Sequence, residues 1–348
     1  MIHSMKPTWH NILIAMALTV LTGCWQEEVV HPVADEAVPV GFEGEYVGNP
    51  TRTEMTTDWM TTAGEGKFGV YGYKTGLGYA LFNNEKVDYV DGKTWTHTTV
   101  RYWDKAAEDA YSFYAYCPYR TTDVSFNAST GFTFSGQQIF YPITYSGTED
   151  ICVAEGHQNK DYADYHGASM DGRVPFSFYH ILSKLTFMFR TEVTNGTDGT
   201  TLSLTNVSLT FPDCTKWTWK QTSPAATAGT VAYAGYQPSA TSYTLLQNGS
   251  KALNSTAVQV GLPFIVVPVS TTKHAMSMTV TYQLQYTDGI KDTHTKTVSI
   301  GSIAFAQNTQ YIITATISPQ AIKFDASALN NWTDDPIAIE LQEDSTTP

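Results

Sequence analysis

The chain has 348 residues and a net charge of −13, with 15% charged and 13% aromatic residues. That length allows two domains, each with its own core. The acidic balance excludes a nucleic-acid partner, which calls for clustered lysine and arginine. A hydroxyl- and tyrosine-rich composition with few charges suits an extracellular β-protein rather than a helical cytosolic enzyme.

At the start, Lys6 and two histidines precede the apolar run Ile12–Leu21. The run is too short for a bilayer span, which takes about 20 residues, and reads as a secretion signal. It ends in Leu21-Thr22-Gly23-Cys24. This matches the lipobox of bacterial lipoproteins, in which the Cys24 thiol receives a diacylglyceryl group. The following Trp25-Gln26-Glu27-Glu28 resembles the export signal of surface lipoproteins of the Bacteroidetes. Residues 1–23 are therefore read as a signal peptide and 24–37 as a polar tether. The remaining Cys117, Cys152 and Cys214 are odd in number and scattered, which is no disulfide framework. They read as small buried hydrophobes.

Val38, Val40 and Phe42 alternate and predict a first short strand, with Pro39 confining it to an edge. Residues 43–66 read as an exposed loop carrying Thr51-Arg52-Thr53. From Lys67 the strand pattern is dense, with Asp91-Gly92 turning one hairpin and Phe126, Phe132 and Phe134 marking another. In the central stretch, Val174, Phe176, Phe178 and His180 alternate, the phase flips at Ile181-Leu182, and Leu185, Phe187 and Phe189 carry on. A flip of phase exchanges the two faces of a strand, so the chain is expected to break there. The central stretch is therefore read as the junction of a domain of residues 38–175 with one of residues 176–342. The clearest strand, Met276 to Tyr286, alternates strictly and closes through Asp288-Gly289. The expected fold is all-β, with two sandwiches in tandem.

No catalytic motif is present, so neither a reaction nor a cofactor is expected. His157, Asp161, Asp164, His166 and Asp171 could in principle hold a cation, but a solvated loop explains them better. Hence no metal is assigned. His180 reads as a core histidine, and Trp95, Trp103, Trp217 and Trp219 as packing residues rather than a sugar platform. The final strand-like piece presents Ile337, Ile339 and Leu341 at the spacing of Val38, Val40 and Phe42. Either triplet could fill one row of pockets along a sheet edge, the geometry of strand addition.

The chain resembles the fimbrillins, lipoprotein pilins of the type V pili of Bacteroidales. The resemblance rests on the lipobox, Thr51-Arg52-Thr53, Phe68-Gly69-Val70-Tyr71, Arg101-Tyr102-Trp103 and the stretch Phe113 to Tyr119. Asp150-Ile151-Cys152-Val153-Ala154, Phe178 to Leu185, and Ile322-Lys323-Phe324 with Trp332 complete it. It implies two transthyretin-like β-sandwich domains, a precursor anchored in the outer membrane by lipid on Cys24, and cleavage between Arg52 and Thr53. Removal of the first strand would leave a groove for the C-terminal strand of another subunit. The implied partners are other pilin subunits, the outer membrane, and a host glycan or protein. A different reading from composition is a monomeric surface lipoprotein that binds glycans.

Overall fold

The structure is a computed structural model that describes residues 37–46, 66–92, 94–143, 150–167, 171–193, 199–268, 274–319, 321–330 and 336–339. The expected signal peptide, Cys24, Arg52, Thr53 and Leu341 lie outside the described residues. By contacts, Pro39–Pro348 forms one compact unit. Its described residues form strands joined by turns, bends and irregular segments, with a single 3-10 turn at Ala163–Tyr165.

The strands build four sheets. The largest runs, in spatial order, through Gly41–Tyr46, Arg173–His180, Cys152–Ala154, Tyr111–Cys117, Lys67–Lys74, Phe82–Asp91 and Thr94–Thr96, with His157–Lys160 beside Tyr111–Cys117. Alternation places Phe68, Phe113, Phe176 and Phe178 on one face. This sheet curls on itself. Phe42 on its first strand meets Phe82, five strands away, with ring centroids 5.0 Å apart, which the right-handed twist of adjacent strands makes possible. The opposite face carries Tyr71, Tyr114 and Tyr116, which pack on Phe126, Phe132 and Phe134 of a four-stranded sheet.

A seven-stranded sheet runs through Pro336–Ile339, Ile322–Asn330, Thr309–Ile317, Ser183–Thr191, Phe264–Val266 and Phe140–Pro142, with Val258–Gln259 beside Ser183–Thr191. It faces a five-stranded sheet built on Thr201–Asp213 and His274–Gln285. Leu185, Phe187 and Phe189 from one, and Leu204, Leu209, Met278 and Val280 from the other, share one buried core. The phase flip at Ile181-Leu182 coincides with a bend, and there the chain leaves the first sheet for the seven-stranded one.

Two short pieces cross this division. Lys216–Gln221 pairs with Gly131–Gly136, and Phe264–Val266 pairs with Phe140–Pro142. The predicted turns are present. Gly92 and Gly289 both take positive φ, the conformation for which glycine lacks the penalty of a Cβ.

Candidate subunit interface

The first described strand begins later than its apolar spacing suggests. Pro39 has no N–H to donate, and regular pairing starts only at Gly41. Val38 is therefore half-buried ahead of the strand, Val40 stands at its entrance, and Phe42 lies within it. Gly41–Tyr46 runs parallel to Arg173–His180 in an unbroken register from Gly41 opposite Arg173 to Tyr46 opposite Phe178. On the other side it is also held. The Val40 N–H donates to Arg101 O at 2.8 Å, His97 Nε2 donates to Val40 O at 3.2 Å, and Pro39 bridges Tyr102. The strand thus fills a gap between Arg173–His180 and the 97–102 segment.

Its side chains seal that gap. Val40 and Phe42 are each 1% exposed. The Phe42 ring lies 5.2 Å from His97, 5.8 Å from Phe113 and 6.1 Å from Phe176. Burying a valine and a phenylalanine contributes about 1.5–3 kcal/mol each. The rim is polar. Arg173 approaches Glu43 at 3.9 Å, and Ser177 Oγ donates to Glu45 Oε1 at 3.1 Å. Such rim contacts add little to stability but fix the register.

At the other end, Pro336–Ile339 lies antiparallel to Ile322–Asn330 at the edge of the seven-stranded sheet. Its backbone sets Ile337 opposite Ala328 and Ile339 opposite Ala326. The described members of the two predicted triplets are thus on different sheets. Val40 and Phe42 share a pocket, while Ile337 and Ile339 occupy an edge strand of their own.

The residues weighed as metal ligands in the 157–171 loop are engaged locally. His157 Nδ1 meets the Tyr165 hydroxyl at 2.7 Å, and His166 Nδ1 meets that of Tyr162 at 2.6 Å. Asp161 and Asp164 each accept the other's backbone N–H, and Lys160 reaches Asp164 at 3.3 Å. Burial pushes the His157 imidazole below its usual range. Asp171 sits exposed in a turn with φ +45.

The tryptophans are packing residues. Trp103, Trp217 and Trp219 are no more than 5% exposed, and Trp95 packs edge-on to Phe68 and Tyr89. His180 is fully buried and bonded to Asp150. Sequence reasoning missed that partner and the hold of His97 on Val40, because each pair is distant along the chain.

A family model described as fimbrillin-like matches residues 51–332. Among solved structures, a fimbrial protein from Bacteroides vulgatus superposes with a TM-score of 0.53 at 20% identity, covering 84% of this chain and 99% of that one. A putative cell adhesion protein from Bacteroides uniformis does so at 0.50 and 19%, covering 86% and 99%. These likenesses establish the β-sandwich fold. No curated protein matches the chain.

Proposed function

Because the chain belongs to the fimbrillin-like family, we propose that it is a surface pilus or adhesion subunit whose first strand is a removable plug. Membership makes it a structural protein rather than a catalyst and supports association with other pilin subunits at the cell surface. In the finer reading, Cys24 carries the lipid that anchors the precursor in the outer membrane. Cleavage between Arg52 and Thr53 then frees Gly41–Tyr46 from the folded body. A C-terminal strand carrying Ile337, Ile339 and Leu341 of another subunit takes its place.

The observation that carries this reading is the seating of Gly41–Tyr46. It is an edge strand that, with Val40 just before it, places two buried side chains in a slot bounded on both sides, and its only described pairing is with elements far along the chain. Arg52 stands between it and the next strand, Lys67–Lys74. Withdrawal of the strand would uncover Phe82, Phe113 and Phe176. Re-covering apolar surface is favourable by roughly 25 cal/mol per Å², and backbone pairing along the edge would set the donor's register.

Two variants test it in cells. A carboxylate at the centre of the donor row would have to be desolvated, so Ile339→Asp should abolish detergent-resistant polymers while leaving a folded monomer. Arg52→Ala should give the same phenotype by retaining the plug. A polymer ladder that survives Ile339→Asp would place the donor elsewhere, and one that also survives Arg52→Ala would overturn strand replacement.

A further inference from the structure

One cluster plays no part in strand exchange. At the end of the eight-stranded sheet, Asp150, Cys152 and His180 converge on one point, each no more than 1% exposed. Strand geometry explains the convergence. His180 is the register partner of Cys152 across adjacent strands, and Asp150 lies two residues before Cys152, so its side chain leaves the same face. His180 Nδ1 stands 2.8 Å from Asp150 Oδ2 and 3.3 Å from Cys152 Sγ. All three candidate donor atoms lie within 4.8 Å of one another. Cys117 is the register partner of Cys152 on its other side, also fully buried, with its Sγ 3.3 Å from Lys67 O.

We infer that this cluster is a structural zinc site, with Asp150, Cys152 and His180 as ligands and Cys117 as the fourth. The chemistry favours zinc over a hard cation, because one imidazole, one carboxylate and sulfur are its usual donors. The spacing is suitable. With Zn–N and Zn–S bonds of roughly 2.0 and 2.3 Å, neighbouring tetrahedral donors stand on the order of 3.5 Å apart. The separations of His180 from Asp150 and Cys152 need only a slight expansion to reach that, and Cys117 Sγ would turn from Lys67 O to join them. The Asp150 carboxylate and the Cys117 and Cys152 thiolates would set three negative charges against the two of zinc, and His180 would bind as neutral imidazole. Loading would release both thiol protons to solvent as the two Zn–S bonds form. Bound zinc would tie three strands together beside the bend at Ile181-Leu182. Because the site is closed, metal would enter during folding.

The test refolds the purified full chain with zinc or with EDTA, removes loose metal, and measures metal content and the denaturant midpoint. One zinc per chain and a higher midpoint with zinc are expected. Refolding with Co²⁺ should give a thiolate charge-transfer band. Cys152→Ala should lose the band and the retained metal. Cys117→Ala should keep a weakened band and lower zinc affinity by more than the ~10–100-fold seen for outer-shell partners. Removing a buried sulfur lowers the midpoint of Cys152→Ala by itself, so the decisive readout is the rise on adding zinc, expected in the parent and absent in Cys152→Ala. No retained zinc, or equal retention by Cys152→Ala, would overturn the site. So would a native mass lacking two hydrogens with Cys117 and Cys152 in one disulfide-linked peptide.

Discussion

The two terminal strands both lie at the edges of large sheets, yet they are held differently. Gly41–Tyr46 runs parallel to its neighbour, is bonded on its far side through Val40, and sinks Phe42 among four other rings. Among the described residues, Pro336–Ile339 is paired on one side, antiparallel, to the strand just before it in the chain. The first arrangement joins regions distant in sequence and so carries a large loop-closure cost. It persists through side-chain burial. The second is a local pairing at an open edge, where backbone groups are available to another chain. An element that plugs a slot and one that can leave its place call for this asymmetry.

The comparison supposes that the sheets bordering these strands have separate cores, and the largest expected effect tests that. Phe178 packs on Phe68 in the first sheet, and Phe187 on Phe264 in the seven-stranded one. Phe178→Ala and Phe187→Ala should each cost on the order of 3–5 kcal/mol, since both rings are buried. In the double variant the losses should add to within roughly 0.5 kcal/mol. Chemical denaturation of the four proteins measures this. A larger coupling would mean that the eight-stranded and seven-stranded sheets share one core.

The next effect sharpens the contrast between the strands themselves. Phe42→Ala in the uncleaved chain should destabilise it by about 3 kcal/mol, near the low end for a buried ring because an edge strand can yield. Ile339→Asp in the same chain should cost less than about 1 kcal/mol, as changes at open edges usually do. Urea midpoints decide the matter. Equal losses would mean that both strands are integral to the monomer.

Much of this arrangement is legible in the amino-acid sequence. Period-two alternation marks the buried faces of Arg173–His180 and His274–Gln285, the phase flip marks the sheet change, and glycine marks the turns at Asp91-Gly92 and Asp288-Gly289. Alternation reports which face is buried, but not which strand lies alongside. The parallel pairing of Gly41–Tyr46 with Arg173–His180 is therefore invisible in sequence. So is the transfer of Lys216–Gln221 to the sheet of Gly131–Gly136. The candidate slot follows the same rule. Val40 and Phe42 can be read as buried, whereas His97, Phe82 and Phe113 around them come from strands and loops that only folding brings together. Alternation alone misplaces Val38 within the strand, because Pro39 delays the ladder, a backbone effect that the spacing of apolar side chains does not register.

The last effect concerns the strand that begins immediately after the sheets part. Lys184 is 3% exposed, and burial lowers its ammonium from the usual 10.5 to about 7. Its folded pKa lies below its unfolded one, so between about pH 7 and 10 the unfolded chain binds more protons at this position than the folded chain does. Stability should therefore rise with pH through that window. Below it both states are protonated, and the cost of burying the charge is full and constant. Lys184→Met keeps the length and apolar character of the side chain without the charge. The variant should be more stable than the parent near neutral pH, and its advantage should shrink on the alkaline side, by at most roughly 1.4 kcal/mol per pH unit. Comparing the two proteins at about pH 7 and about pH 9 cancels the general repulsion of an acidic chain, because both carry it. A constant gap would mean that Lys184 holds its charge in the fold. A shrinking one would show that the seven-stranded sheet starts on a buried lysine that gives up its proton, whereas the eight-stranded sheet ends on a histidine bonded to Asp150.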